Sequence, residues 1–304
     1  MSTYTVSNKE LKRNKRALLK AKMRFRFSPG WMFVYAFMIL LVAFTSLPLI
    51  YMISTAFKPL DELFLFPPRF IVRKPTLQNF TDLLTALSGT TVPFTRFIFN
   101  STFVSATIVL ATVIVSSMGA FALEKHKIPG HRIIFGTVIA GIMFSPHVTQ
   151  IPRYLLVNGL GLIDTYWALI VPNIAVAYNF FLMKQFSSQV PDSLLESARI
   201  DGVGEFMIYW KIVMPLLKPA WSTLIVFSFV TNWNDYFTPL IFTQSQAMRT
   251  LPLALQTLAG GAGSIGRLGA VAAATFLMTT PTIILFVMMQ RRVMETMIHS
   301  GIKS

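Results

Sequence analysis

The chain has no cysteine among its 304 residues. That excludes a disulfide framework and any thiolate metal site. Charge is scarce too. Asp, Glu, Lys and Arg make up 13%, against about 25% in an ordinary soluble domain. Carboxylates are the rarer sign: 12 Asp and Glu stand against 27 Lys and Arg, a formal net charge of +15. The four histidines, His126, His131, His147 and His299, lie apart and form no metal-ligand pair. His126 and His131 flank Pro129-Gly130 and read as part of a solvated turn. No Gly-x4-Gly-Lys-Ser/Thr loop occurs, so the chain has no such means of hydrolysing ATP. Gly261-x-Gly263-x-x-Gly266 matches a dinucleotide fingerprint as text, but no strand of a βαβ unit precedes it.

What is abundant is apolar sequence, 54% of the chain, gathered in long runs. Lipid offers no partner for backbone N–H and C=O, so such runs must be helices. The expected class is therefore an all-α, multi-pass membrane protein. Six spans are predicted: 31–57, 97–123, 133–157, 166–183, 220–242 and 268–290. With six spans both termini share a side, and that side carries nineteen of the 27 basic residues. The excess predicts cytoplasmic termini. Residues 1–30 form a basic arm, 31–290 the transmembrane domain, and 291–304 a cytoplasmic tail. The nine basic residues from Lys9 to Arg26 suit anionic lipid. No recognition module accompanies them, so nucleic acid is not an expected partner.

Two outer segments are long. Lys58–Thr95 holds five prolines together with Phe64, Phe66, Phe70, Leu77 and Phe80, which predicts a cap folded onto the helix ends. Gln244–Arg267 ends in the glycine-rich Gly260-Gly261-Ala262-Gly263-Ser264-Ile265-Gly266.

The segment 184–219, between the fourth and fifth spans, is unlike its surroundings. It is polar and carries both signs of charge. Pro191 with Asp192 or Ser193 would start a short helix, and Ser193 and Glu196 have capping-box spacing. Gly202 or Gly204 would end it in a left-handed cap. A second short helix would run from Glu205 to Met214 and stop near Pro215. Local physics leaves open both this pair of helices and a generic inter-span loop.

The spacing narrows the choice. Glu196-Ser197-Ala198, three residues, Gly202, nine residues, Ile212, one residue, Met214-Pro215 resembles the signature loop of binding-protein-dependent ABC importer permeases. That pattern is Glu-Ala-Ala, Gly, Ile and Leu-Pro at the same intervals. Ser197 and Met214 are the departures, and both conserve volume approximately. Asn232-Trp233-Asn234-Asp235, and the tail from Gln290 through Gly301 to Lys303, are similar to carbohydrate-uptake permeases of the maltose G-subunit type. The resemblance covers most of the chain after about residue 35.

The resemblance implies that Glu196, Ser197, Ala198, Arg199, Asp201, Gly202, Ile212 and Pro215 couple the chain to a cytoplasmic ATPase subunit. ATP and magnesium would sit on that partner, and this chain would be non-catalytic. Two ATPase subunits, a second related permease and an extracellular solute-binding protein complete the implied assembly, in the plasma membrane of a bacterium. Asn232, Trp233, Asn234, Asp235, Tyr236, Asn173 and Tyr178 are candidates for a translocation pathway or gate. Trp233 and Tyr236, the candidates for stacking on a sugar, read rather as an interfacial belt and a structural hydrogen-bond cluster, and Asp235 reads equally as a local cap. Leu255, Gly260, Gly261 and Gly263 are candidates for contact with the binding protein. Alternatives from other classes are a secondary, ion-coupled transporter and a membrane scaffold. The scarcity of carboxylates within the spans speaks against proton coupling.

Overall fold

The computed structural model describes residues 29–88, 92–126, 128–260 and 265–301. Residues 1–28 of the basic arm, Gly261 and Gly263 lie outside the described residues. Among those described the chain is helical throughout, with no strand. It divides into two units, one ending at Tyr51 and the other beginning at Met52.

The first unit contributes most of α1 (Pro29–Ala56). This helix is apolar on every side, as a lipid-embedded helix must be. The second unit begins with the last turn of α1. It continues with α2 (Leu60–Leu63), α3 (Gln78–Ser88), α4 (Phe94–Lys125), α5 (His131–Met143) and α6 (Gln150–Gly159). Next come α7 (Tyr166–Ile174), α8 (Ala177–Ser187), α9 (Asp192–Ile200) and α10 (Glu205–Ile208). A π-turn (Tyr209–Val213) leads into α11 (Met214–Leu216), α12 (Lys218–Trp233) and α13 (Phe237–Phe242). The chain closes with α14 (Leu251–Gly260) and α15 (Leu268–Gly301).

α4 is the spine. It packs against α7, α8, α12 and α14. The reason lies in a stripe of small residues on one face, at intervals of four or seven: Ser101, Ser105, Thr112, Ser116 and Ala120 are all buried. Small side chains let helix backbones approach closely. At 32 residues, α4 is about 48 Å long at 1.5 Å per residue. It therefore outreaches a hydrocarbon layer of about 30 Å.

Among the described residues three helices are long and apolar enough to cross a membrane: Gly30–Ala56, Phe94–Lys125 and Leu268–Arg291. Two bent pairs qualify jointly: α7 with α8, bent by 42°, and Glu205–Leu216 with α12, bent by 78°. Six spans were expected, and three to five are matched by length and composition. The predicted third span is interrupted by Ser145-Pro146-His147, which separate α5 from α6. The predicted fourth breaks at Ala175-Val176, after Pro172. There the Thr112 hydroxyl donates to the Ile174 carbonyl at 3.1 Å, supplying a partner the broken helix cannot. The predicted fifth breaks between Trp233 and Phe237. No break separates the sixth span from the expected tail, because α15 continues through Gly301.

The cap predicted over Lys58–Thr95 is folded. The Glu62 carboxylate is buried and accepts the backbone N–H groups of Arg73 and Lys74, each at 3.1 Å. Phe57, Phe80 and Phe276 form an aromatic cluster that fixes the cap to α15. Phe64, Phe66, Phe70 and Leu77, expected to pack inward, are exposed instead.

Candidate functional site

The segment 184–219 folds as two helices joined at a glycine. Pro191 precedes α9 and makes no side-chain cap. The Ser193–Glu196 capping box does not form, because Ser193 already lies inside the helix. Asp192, in the first turn, is instead held by Lys125 Nζ at 2.8 Å. This bond draws the Asp192 carboxyl below its ordinary range. At the other end Gly202 adopts φ +77°. The Gly202 N–H donates to Arg199 O, and the Val203 N–H reaches back to Ala198 O, both at 3.0 Å. These two bonds close the carbonyls that every helix end leaves open, and the φ they require favours glycine.

α9 has two faces. Leu195 and Ala198 are buried against Val213, Leu217 and Leu224. Burying a leucine fully contributes about 2 kcal/mol, which seats the helix on the bundle. Leu194, Glu196, Ser197, Arg199 and Ile200 face outward, and Ile200 is 86% exposed. Ala198, expected on the helix that couples to the ATPase, turns to this chain's own core and seats that helix. Phe206, Met207 and Trp210 extend the exposed apolar surface. Arg199 spans the glycine turn, with its Nε 2.6 Å from the Glu205 Oε1. The same bond lowers the Glu205 pKa and raises that of Arg199. Asp201 caps α9 through its backbone and is exposed; Ile212 packs on the core.

Pro215 offers no N–H, and helix α11 ends at Leu216 before the 78° bend. The Trp221 indole donates to Met214 O at 3.0 Å and covers the carbonyl freed at that bend. The predicted second helix thus exists, two residues longer than expected and with a π-turn inside it.

Five of the seven pathway candidates line two depressions. Asn173, Tyr178 and Asn232 line a groove of about 360 Å³ where the α7–α8 break faces α12. Its other polar lining is Asn179, Ser228 and Thr231, with no charged side chain. Asn234, Tyr236 and Leu255 line a separate hollow of about 140 Å³. Trp233 is neither belt nor stacking platform. It is 5% exposed, donates from Nε1 to Met278 O at 2.8 Å, and stacks on Phe229. Asp235 Oδ1 accepts the N–H groups of Phe237 and Thr238, at 2.9 and 3.0 Å, and so caps α13. Of the binding-protein candidates, Leu255 is 8% exposed and packs in the core with Trp233 and Leu83. Gly260 is exposed at the end of α14.

Two polar residues lay outside the predicted site. Arg153 donates from Nη2 to Asn173 Oδ1 at 2.5 Å, behind the groove. A lone arginine inside a predicted span was the signal for it. Asn100 receives the Tyr166 hydroxyl at 2.7 Å and donates to Ala247 O and Arg249 O, so it joins helices and faces no path.

A family model described as "Binding-protein-dependent transport system inner membrane component" matches residues 107–294. The chain belongs to this family. The match takes in most of α4, all of segment 184–219 and most of α15. This permease is 32% identical over 275 residues to a putative ABC transporter permease protein of Caldicellulosiruptor sp. (strain Rt8B.4), covering 90% of the permease and 96% of that protein. It is 29% identical over 229 residues to the arabinooligosaccharides transport system permease protein AraQ of Bacillus subtilis (strain 168), covering 75% and 80%. Its fold matches a crystal structure of a bacterial ABC transporter involved in the import of the acidic polysaccharide alginate. The TM-score is 0.77 at 22% identity, over 88% of the permease and 99% of that chain.

Proposed function

We propose that this chain is a permease subunit of an ATP-driven, binding-protein-dependent importer of oligosaccharides, working by alternating access. One observation carries the reading. α9 is a short helix pinned on one face to the bundle, closed by a left-handed glycine, and bare on the face that presents Glu196, Ser197 and Ile200. An exposed apolar residue beside charged ones suits a protein groove better than water. The partner proposed for it is a cytoplasmic ATPase subunit carrying ATP and magnesium. Arg199 and Asp201 set its orientation at the rim, and Ile212 and Pro215 fix the junction with α12.

The remaining assembly is a second ATPase subunit, a related second permease and an extracellular binding protein, in the bacterial plasma membrane with both termini inside. The proposed translocation groove is the one holding Asn173, Tyr178 and Asn232. Asn234, Tyr236 and Gly260 lie toward the proposed binding-protein side, with Trp233 and Asp235 as its supports. Hydroxyl and amide groups beside an aromatic ring suit a saccharide, which offers hydroxyls and an apolar ring face. The names of relatives agree, among them a Bacillus subtilis (strain 168) polygalacturonan/rhamnogalacturonan transport system permease protein, 29% identical over 227 residues.

The test replaces Glu196 by Lys and Gly202 by Val. Both variants should insert in the membrane normally, lose the co-purifying ATPase, and stop taking up labelled neutral and acidic oligosaccharides. A secondary carrier would continue to move sugar. A scaffold would show no flux even before substitution.

A further inference from the structure

The last three turns of α4 meet segment 184–219 at a succession of contacts. The Ser117 and Tyr209 hydroxyls share a buried hydrogen bond of 2.6 Å. One turn further, the Phe121 ring packs on the Tyr209 ring, with centroids 6.0 Å apart. Then three consecutive ionisable residues each reach a different element. Glu124 binds Lys184 of α8 at 2.6 Å. Lys125 donates to Val190 O at 2.6 Å and to Asp192 of α9 at 2.8 Å. His126 lies 3.5 Å from Glu205 of α10. The Lys125 side chain is only 7% exposed, so it is desolvated for this purpose.

We propose that the α4 end, Ser117 to His126, is the joint that transmits motion of the α9–α10 lever into the bundle. The proposal rests on the importer reading given above. Three physical facts support it. The α9 helix has only Leu195 and Ala198 to hold it by packing, and two side chains leave rotation about the helix axis unopposed. The Lys125–Asp192 ion pair and the approach of His126 to Glu205, one on each helix of the lever, remove that freedom. Finally, α4 packs on both α7 and α8, which flank the polar groove, so displacement of its end is carried there. These residues position the lever and do not touch substrate or ATP.

The experiment uses the intact importer, purified with its partner permease and ATPase in lipid nanodiscs, and magnesium-ATP as the probe. Spin labels at Val176 and Thr231, both exposed and both on the groove, report its width. The parent should change label separation when magnesium-ATP is added. The triple variant Glu124→Gln, Lys125→Met, Tyr209→Phe should retain its ATPase, yet the fraction of molecules that switch should fall about tenfold. Lys125→Arg, which keeps the charge and donors, should switch like the parent. A purely structural role would alter yield or stability but not the switched fraction of assembled particles. Equal switching in parent and triple variant overturns the joint and leaves the importer reading intact. Loss of the ATPase from the variant also overturns it, by placing these residues in docking. Should the triple variant fail to assemble, Glu124→Gln and Lys125→Met are read singly, and unchanged switching in both overturns the joint. No response in the parent overturns the importer reading, and the joint with it.

Discussion

At Glu205 a single carboxylate ties the glycine turn to the bundle, receiving Arg199 and facing His126. Arg199 holds its pKa below the ordinary value, and Lys125 does the same for Asp192. A depressed carboxylate contributes stability that is fully present above its unfolded value and lost as pH falls through the folded one. The lever should therefore be firm at neutral pH and loosen in acid, below about pH 4. Protease cleavage near Gly202, followed across pH in nanodiscs, should rise only in that acid window. Trp233→Phe makes a second case. It keeps the stack on Phe229 but loses the bond to Met278 O, and should lower stability to heat by about 1 kcal/mol. These two residues differ in how readable they were. The charged neighbours of Glu205 announced a partner-facing segment. Trp233 stood in a motif that resembled a pathway, while its actual partner, Met278, lies 45 positions away. Leu255 misled for the same reason, since only the tertiary packing of α14 decides that it points inward.

Among the elements, α9 and its cap were the most legible. A helix start after Pro191 and a left-handed stop at Gly202 follow from backbone bonds between residues at most five apart, and the turn between the two helices is spanned by Arg199 and Glu205, six apart. Gly202→Ala keeps those bonds but puts a β-carbon at φ +77°, and should cost about 1 kcal/mol. Chemical denaturation of the purified complex measures this. Gly269 had no such local signal. A β-carbon there would stand 2.1 Å from Asn79 Oδ1, on a side chain that donates to Ala56 O and Lys58 O. Gly269→Ala should push α3 off α15 and destabilise by about 2 kcal/mol, read as an earlier thermal transition, with the α9 lever unaffected. Asp164 was equally silent in the sequence. It takes φ 62° and accepts the N–H groups of Gln244 and Ser245 at 2.9 and 3.0 Å. It thereby joins the loop before α7 to the loop after α13.

Over the whole molecule, apolar runs revealed the class but not the breaks. Hydropathy averages over Pro146, Pro172 and Asn234, so each interrupted span reads as continuous. The break between α7 and α8 matters more than the span it interrupts, because it places backbone and amide groups released from regular helix pairing where a polar groove forms. The groove has no charged lining residue. Replacing Thr231 by Asp should therefore impair entry of acidic oligosaccharides more than neutral ones, a difference read directly by competitive uptake. Equal loss for both would remove electrostatics as the basis of that preference.

α4 is fastened at both extremities. Asn100 and Ser101 hold the backbone at Ala247, Arg249 and Leu251 near its start, and Lys125 holds Asp192 of α9 at its finish. A stiff rod clamped at each end cannot slide at one without disturbing the other. Traffic along it must run both ways with equal free energy. Under the proposed docking of an ATPase on α9, whatever nucleotide does to the far end of α4, occupancy of that end does to nucleotide in return.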